Sequence, residues 1–309
     1  MPRLCSSLLL WLLFTSSASA VTMDWTFVGD PGNAADGTGF GSVPYSYNIG
    51  TYEVTNGQYA DFLNAKASSD PFSLYNVFMG DPFLHGGITR AGVDGSYVYT
   101  AIAGRENISV NYVSIYDAMR FANWMNNGQG NADVQTGAYT LLGGASTPTN
   151  GPTVTRNPGA TILLASENEW YKAAYFDGST YFDYPTGTDV PTICTAPNPT
   201  PNRANCDSAA GGGLTIVGSY AGSPSPHGTF DQGGNASELT DTFYSPLFST
   251  RALRGGAFNE GAVSSSGRGQ ALAGGHSTGF RLSMIPEPSS GLLVIAGLIG
   301  LAVHCRGRS

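Results

Sequence analysis

Lysine is nearly missing: Lys66 and Lys172 are the only two in 309 residues, and charged side chains of all kinds make up 12% of the chain. Acidic residues number 22 against 14 Lys and Arg, for a formal charge of −8. Nucleic-acid binding needs a basic stripe that neutralises phosphates, so no nucleic-acid partner is expected. Cysteine is scarce as well, with Cys5, Cys194, Cys206 and Cys305. No CxxC pair occurs among them, which removes the thiolate zinc modules. Histidine is confined to positions 85, 227, 276 and 304, none in HExxH or another paired spacing, so a zinc enzyme is not expected. What the chain has in excess is glycine, 42 residues, together with 18 prolines. Gly inside a helix costs about 1 kcal/mol relative to Ala, which argues against a helical bundle. The 41% hydrophobic and 11% aromatic content excludes a disordered chain. A loop-rich α+β domain is the expected fold.

Both ends read as addresses. Residues 1–20 have the pattern of a secretory signal peptide: Arg3, the apolar run LLLWLLF at 8–14, then Ala18-Ser19-Ala20 as a small-x-small cleavage site. At the other end, Pro286-Glu287-Pro288 leads into an uncharged stretch that reaches Cys305, followed by Arg306 and Arg308. Its length is at the short end of the ~17–25 residues of a membrane span, and a basic tail keeps that end cytoplasmic. The order Pro-Glu-Pro, apolar span, Arg cluster over 285–309 resembles the PEP-CTERM sorting signal of Gram-negative bacteria. That resemblance implies an exosortase-type sorting machinery as partner. It also implies anchoring by a C-terminal transmembrane helix before processing, then delivery to the cell surface or extracellular matrix.

Between these ends three segments carry helix start signals. Thr55–Gln58, Ser114–Asp117 and Ser166–Glu169 each place a hydroxyl three residues before an acid or amide, the spacing of a capping box, and apolar residues follow at helical intervals. Strands are expected at 96–102, 161–164, 214–217, 252–258 and 280–284, joined by Gly/Pro/Ser/Thr loops such as 143–159 and 191–213. Cys194 and Cys206 flank a proline-rich stretch (TAPNPTPNRAN). In the oxidising compartment that export implies they are expected to form a disulfide, contributing about 2–3 kcal/mol by chain entropy.

Motifs for catalysis are weak. The G-x-S-x-G at 275–279 lacks the following helix that a nucleophile elbow requires, and Gly37–Gly41 has no helix after it to bind phosphate. More informative is the run FDQGGNASE at 230–238. Asp231 and Glu238 lie seven apart across Gly233-Gly234, where a curled backbone could turn carbonyls and carboxylates onto one hard cation such as Ca²⁺.

Six segments in order resemble the formylglycine-generating enzyme (sulfatase-modifying factor) family over residues 24–284: GTYEVTNGQYADFLNA at 50–65, VNYVSIYDAMRFANWMN at 110–126, LASENEWYKAAYF at 164–176, FDQGGNASE, LRGGAF at 253–258 and GFRL at 279–282. The resemblance implies an irregular fold similar to C-type lectins. Active members of that family oxidise a substrate cysteine with copper held by two cysteines just after the Arg-Gly-Gly motif. The matching stretch here, AFNEGAVSSSGRG at 257–269, has no cysteine; the two positions fall near Glu260 and Ser265. Soft Cu(I) needs thiolate, so no copper is expected and no catalytic residue is assigned. The family also binds structural calcium. Its first site maps onto Asp231, Gly234, Ala236 and Glu238. Its second maps onto Asn205 and the Cys206 carbonyl, with no acid in 209–213 to complete it. The expected function is an exported, surface- or matrix-sorted binding or structural domain without the oxidase chemistry, with extracellular polysaccharide or surface proteins as partners. The alternative is an oxidoreductase of the formylglycine-generating type with displaced catalytic residues.

Overall fold

The computed structural model describes residues 20–245 and 249–286. The expected leader and the apolar tail lie outside these residues, apart from Ala20, Ile285 and Pro286. Among the described residues no helix is long and apolar enough to cross a membrane.

Among the described residues twelve short strands and three α-helices make an α+β fold. In chain order the strands are β1 (Trp25–Val28), β2 (Tyr47–Gly50), β3 (Ile88–Ala91), β4 (Val98–Ala101), β5 (Ile162–Leu164), β6 (Ile193–Cys194), β7 (Arg203–Ala204), β8 (Ser237–Phe243), β9 (Arg251–Arg254), β10 (Gly269–Ala271), β11 (Thr278–Phe280) and β12 (Leu282–Met284). The helices are α1 (Asn56–Lys66), α2 (Ile115–Asn126) and α3 (Glu167–Tyr175). All three begin at the expected capping boxes, with Thr55, Ser114 and Ser166 each accepting a backbone N–H while Gln58, Asp117 and Glu169 reach back to the cap. Each box satisfies two of the donors that a helix start leaves bare.

Two four-stranded sheets carry the domain, in the orders β1-β2-β12-β5 and β10-β9-β8-β11. Chain direction explains why they sit together. β11 pairs parallel to β8, Phe280 opposite Leu239, and one residue later the chain enters β12 at the centre of the other sheet. That one residue is Arg281, fully buried. Gly279, two residues earlier, is closely packed: a Cβ there would lie 2.5 Å from Ser109 Oγ and 3.1 Å from Val110 O. The larger core layers α1 and α2 against this crossing. Tyr59, Phe62, Phe121 and Phe280 interlock with ring centroids 5.3–6.5 Å apart, and such pairs add about 0.5–1.5 kcal/mol each beyond the area they bury. A second core packs Trp170, Tyr171 and Tyr175 of α3 against Tyr47 and Ile49 of β2.

The expected strands are met unevenly. Residues 214–217 form one isolated bridge, Ile108 to Ile216, and 252–258 continues as strand only through Arg254 before the Gly255-Gly256 turn. β8, for which the spacing gives no strand signal, is the longest strand among the described residues.

Candidate functional site

The Arg-Gly-Gly segment ends β9 and opens the stretch 257–269. Gly255 and Gly256 both adopt positive φ, 92° and 71°, which turns the chain away from the sheet. The stretch is then pinned by the disulfide loop. Cys194 and Cys206 are bonded to each other. The two residues after Cys206 donate their amides to the stretch, Asp207 N to Glu260 O and Ser208 N to Phe258 O, both 2.6 Å. Phe258 N donates to Asn235 O at 2.9 Å. Glu260 is exposed, with Oε2 accepting from Ala257 N, whereas Ser265 is buried and its amide donates to Asp183 O.

Arg254, Gly256, Glu260, Val263 and Arg268 line a cavity of about 290 Å³ at this turn. Its wall is held by one buried carboxylate and two guanidiniums. Glu167, at the first position of α3, accepts from Arg254 Nε at 2.8 Å, and from Arg268 Nε at 2.7 Å and Nη2 at 2.8 Å. Arg254 Nη1 donates to the Ser265 and Gly267 carbonyls, while its Nη2 is buried without a partner. Phe40 lies under both guanidiniums, 4.5 and 5.2 Å from ring centre to Cζ. The carboxylate offsets one of two positive charges, buried Arg254 and half-buried Arg268, so the cluster depends on Glu167.

On the other side of the stretch, Phe258 packs against two imidazoles. Its ring centroid lies 5.0 Å from His85 and 5.7 Å from His276, and the two histidines are 5.6 Å apart. Both are half-buried. No local spacing announces this pair; residues 85 and 276 meet because Asn111, 1% exposed, donates its side-chain amide to both of their carbonyls, at 3.0 and 2.9 Å.

The residues expected to hold calcium come together differently. Glu238, in β8, is fully buried, and both of its oxygens are engaged. Oε2 accepts from Arg281 Nε at 2.5 Å and from Trp170 Nε1 at 2.8 Å, and Oε1 accepts from Arg281 Nη2 at 2.6 Å. A fixed guanidinium is therefore already its counter-charge. Calcium needs six to eight free oxygens, and this donor set does not fit it at Glu238. Asp231, at φ 63°, accepts from Gly218 N at 2.6 Å. Gly234 sits against the second expected site: a Cβ on it would come 2.3 Å from Asn205 O, and Asn235 N donates to that same carbonyl, while Ala236 is fully buried just before β8. Asn205 Oδ1 is buried without a partner, but the Cys206 carbonyl is taken by Ala209 N. No acid lies in 209–213, so the second site lacks the carboxylate that would complete it. Among the described residues no group of three or more His, Cys, Asp or Glu side chains is placed to hold a metal ion. Copper fits no better as the family holds it: the stretch 257–269 has no thiol, and Cys194 and Cys206 are consumed by their bond.

Buried acid near Arg281 exceeds buried base. Burial pushes the Asp231 carboxyl up to about 6, and Glu238 adds to the rise against the pull of the Gly218 amide and Arg281. Burial, then Asp231 and Glu238, raise Glu53 in the same direction, and Glu53 Oε2 has no partner. The unfolded chain releases the Asp231 proton near pH 4, the folded chain only near pH 6. Stability contributed by the protonated form is thus present at low pH and falls as pH rises between those values. Asp231→Asn keeps the acceptor for Gly218 and tolerates φ 63°. In EDTA, its melting temperature relative to wild type should climb between pH 4.5 and pH 7; a pH-independent difference would place Asp231 in water.

The family described as sulfatase-modifying factor enzyme 1-like domain (FGE-sulfatase) matches residues 41–284. β1, which lies before that range, pairs with β2 and completes the first sheet. The crystal structure of CarF resembles this fold with a TM-score of 0.57 at 21% identity, over 86% of this chain and 99% of CarF. PvdO from Pseudomonas aeruginosa aligns with a TM-score of 0.46 at 15% identity, over 86% of this chain and 92% of PvdO. No curated protein matches the sequence. With the Arg-Gly-Gly turn, the three capped helices and the paired sheets in place over the whole matched range, the chain belongs to the sulfatase-modifying factor enzyme 1-like family.

Proposed function

We propose that this protein is an exported, non-catalytic member of the family, a binding or structural domain at the cell surface or in the extracellular matrix. One observation carries the reading: at the two positions near which active relatives hold copper through cysteine, this chain has an exposed Glu260 and a buried Ser265. Neither side chain supplies a thiolate, and the two cysteines of the domain are joined elsewhere. Export is supported by the leader pattern and by the packing of Val21, the residue directly after the small-x-small site. Val21 is 6% exposed, and its N and O pair with the Gln129 side chain at 2.7 and 2.8 Å. The domain therefore uses the chain from its first residue past that site. The Pro-Glu-Pro tail supports sorting by an exosortase-type machinery, with extracellular polysaccharide or surface proteins as the partners to be bound.

The test is chemical. Purified protein incubated with copper, oxygen and a sulfatase-type cysteine peptide should give no aldehyde by mass spectrometry. A copper-dependent formylglycine product would instead establish the oxidoreductase with displaced ligands.

A further inference from the structure

We propose that His85 and His276 form a two-imidazole site for a divalent transition-metal cation of the Cu²⁺, Ni²⁺ or Zn²⁺ class, beside the stretch that replaces the family's cysteines. The distance between the two rings is close to that of two imidazoles sharing one ion. An ion about 2.1 Å from one nitrogen of each imidazole sits about 3.2 Å from each ring centre, so tetrahedral to trigonal angles put the centroids about 5.2–5.5 Å apart. The observed separation is 5.6 Å. Imidazole is a good donor for all three ions, and carboxylate-preferring Ca²⁺ and Mg²⁺ are poor matches.

Three features make the pair a built arrangement. Asn111 fixes both backbones through one amide group, and Phe258, 2% exposed, meets both imidazoles in edge-type contacts at interplanar angles of 61° and 69°. His85 holds a left-handed backbone, φ 67°, at the end of a short 3-10 turn, a conformation uncommon for a residue with a Cβ. Its Nδ1 edge faces Gly213, where a Cβ would lie only 3.1 Å away, so a side chain at 213 would crowd the ring. Burial, then His276, then Arg105 lower the His85 pKa. The Arg105 charge is the one opposing feature. Its guanidinium is directed at carbonyls of the same loop, Gly86 O at 3.0 Å and Pro82 O at 3.3 Å. The acidic balance of the chain favours cations over the remaining distance. Water would fill the other coordination positions, since both rings are partly exposed.

Full-length protein without an affinity tag, in mild detergent, is titrated with Cu²⁺ and followed by electron paramagnetic resonance and calorimetry. The expected result is one ion per chain with hyperfine structure from two nitrogens. His85→Asn, which keeps the left-handed backbone, and His276→Gln should each weaken binding at least tenfold. His227→Gln, at the third histidine of the described residues, should leave it unchanged. Near-UV circular dichroism and melting temperature establish that each variant is folded. A folded variant at 85 or 276 that binds as wild type overturns the site, as does wild type without a two-nitrogen signal. Neither outcome bears on aldehyde formation, so this site and the non-catalytic reading fail separately.

Discussion

Replacing Arg281 by methionine will remove about 3–5 kcal/mol of stability, the cost of leaving a buried carboxylate without its partner. Arg281 is fully buried and saturates five acceptors: both oxygens of Glu238, the Gly50 and Thr51 carbonyls, and the Phe230 carbonyl at 2.9 Å. It is the one residue between β11 and β12, so it ties the two sheets where the chain crosses. Methionine fills much of the volume but donates nothing. Glu238 would keep only the Trp170 indole, with Asp231 nearby adding like charge. Against a total of about 5–15 kcal/mol for a typical domain, this is a large share. Urea unfolding followed by tryptophan fluorescence measures it. The pair Arg281→Met, Glu238→Gln should recover part of the loss, because removing both charges costs less than orphaning one. A loss under about 1 kcal/mol for Arg281→Met would mean that water reaches the pair and screens it.

Glu238 also shows where sequence reasoning reached and where it stopped. The three helices were legible because a capping box is local: four consecutive residues carry both the hydroxyl and its reciprocal acceptor. The fold class was legible because glycine and proline excess limits what regular structure can form. The six ordered segments carried the family. β8 was not legible. SELTDTF has few apolar residues, and it is buried because Arg281, Arg251 and Trp170 satisfy its polar groups from other parts of the chain. Spacing suggested that Asp231 and Glu238 would converge on a cation, and nothing within that segment reveals that an arginine from the GFR motif already occupies one of them. The histidine pair was hidden for the same reason. Its two members are brought together by Asn111, a residue unremarkable in the sequence. Elements that depend on neighbours a few residues away can be read from the sequence; charge partners and donor sets assembled across the fold cannot.

Glu167→Ala should destabilise the domain by about 3–5 kcal/mol and open the stretch 257–269. The carboxylate is 1% exposed and stands between two guanidiniums. Removing it leaves Arg254 buried with its charge uncompensated, and leaves Arg268, whose side chain is 22% exposed, free to swing into water. The two arginines repel once the anion is gone, and the less buried one moves. Arg268 is the C-terminal anchor of the stretch, through Glu167 and through the Tyr244 carbonyl at 2.7 Å. Its release should therefore expose the bond after residue 268 to trypsin at protein concentrations where wild type resists. Arg268→Ala offers the contrast. It leaves the Arg254–Glu167 pair intact at one charge each, so its cost should be well below that of Glu167→Ala even though it removes more contacts from the surface. Glu167→Gln should fall between them, because the amide oxygen still accepts from Arg254 Nε while the charge is lost. If Arg268→Ala proves as destabilising as Glu167→Ala, the stretch is held by packing on Phe40 and not by the carboxylate, and the charge-balance account of this wall is wrong.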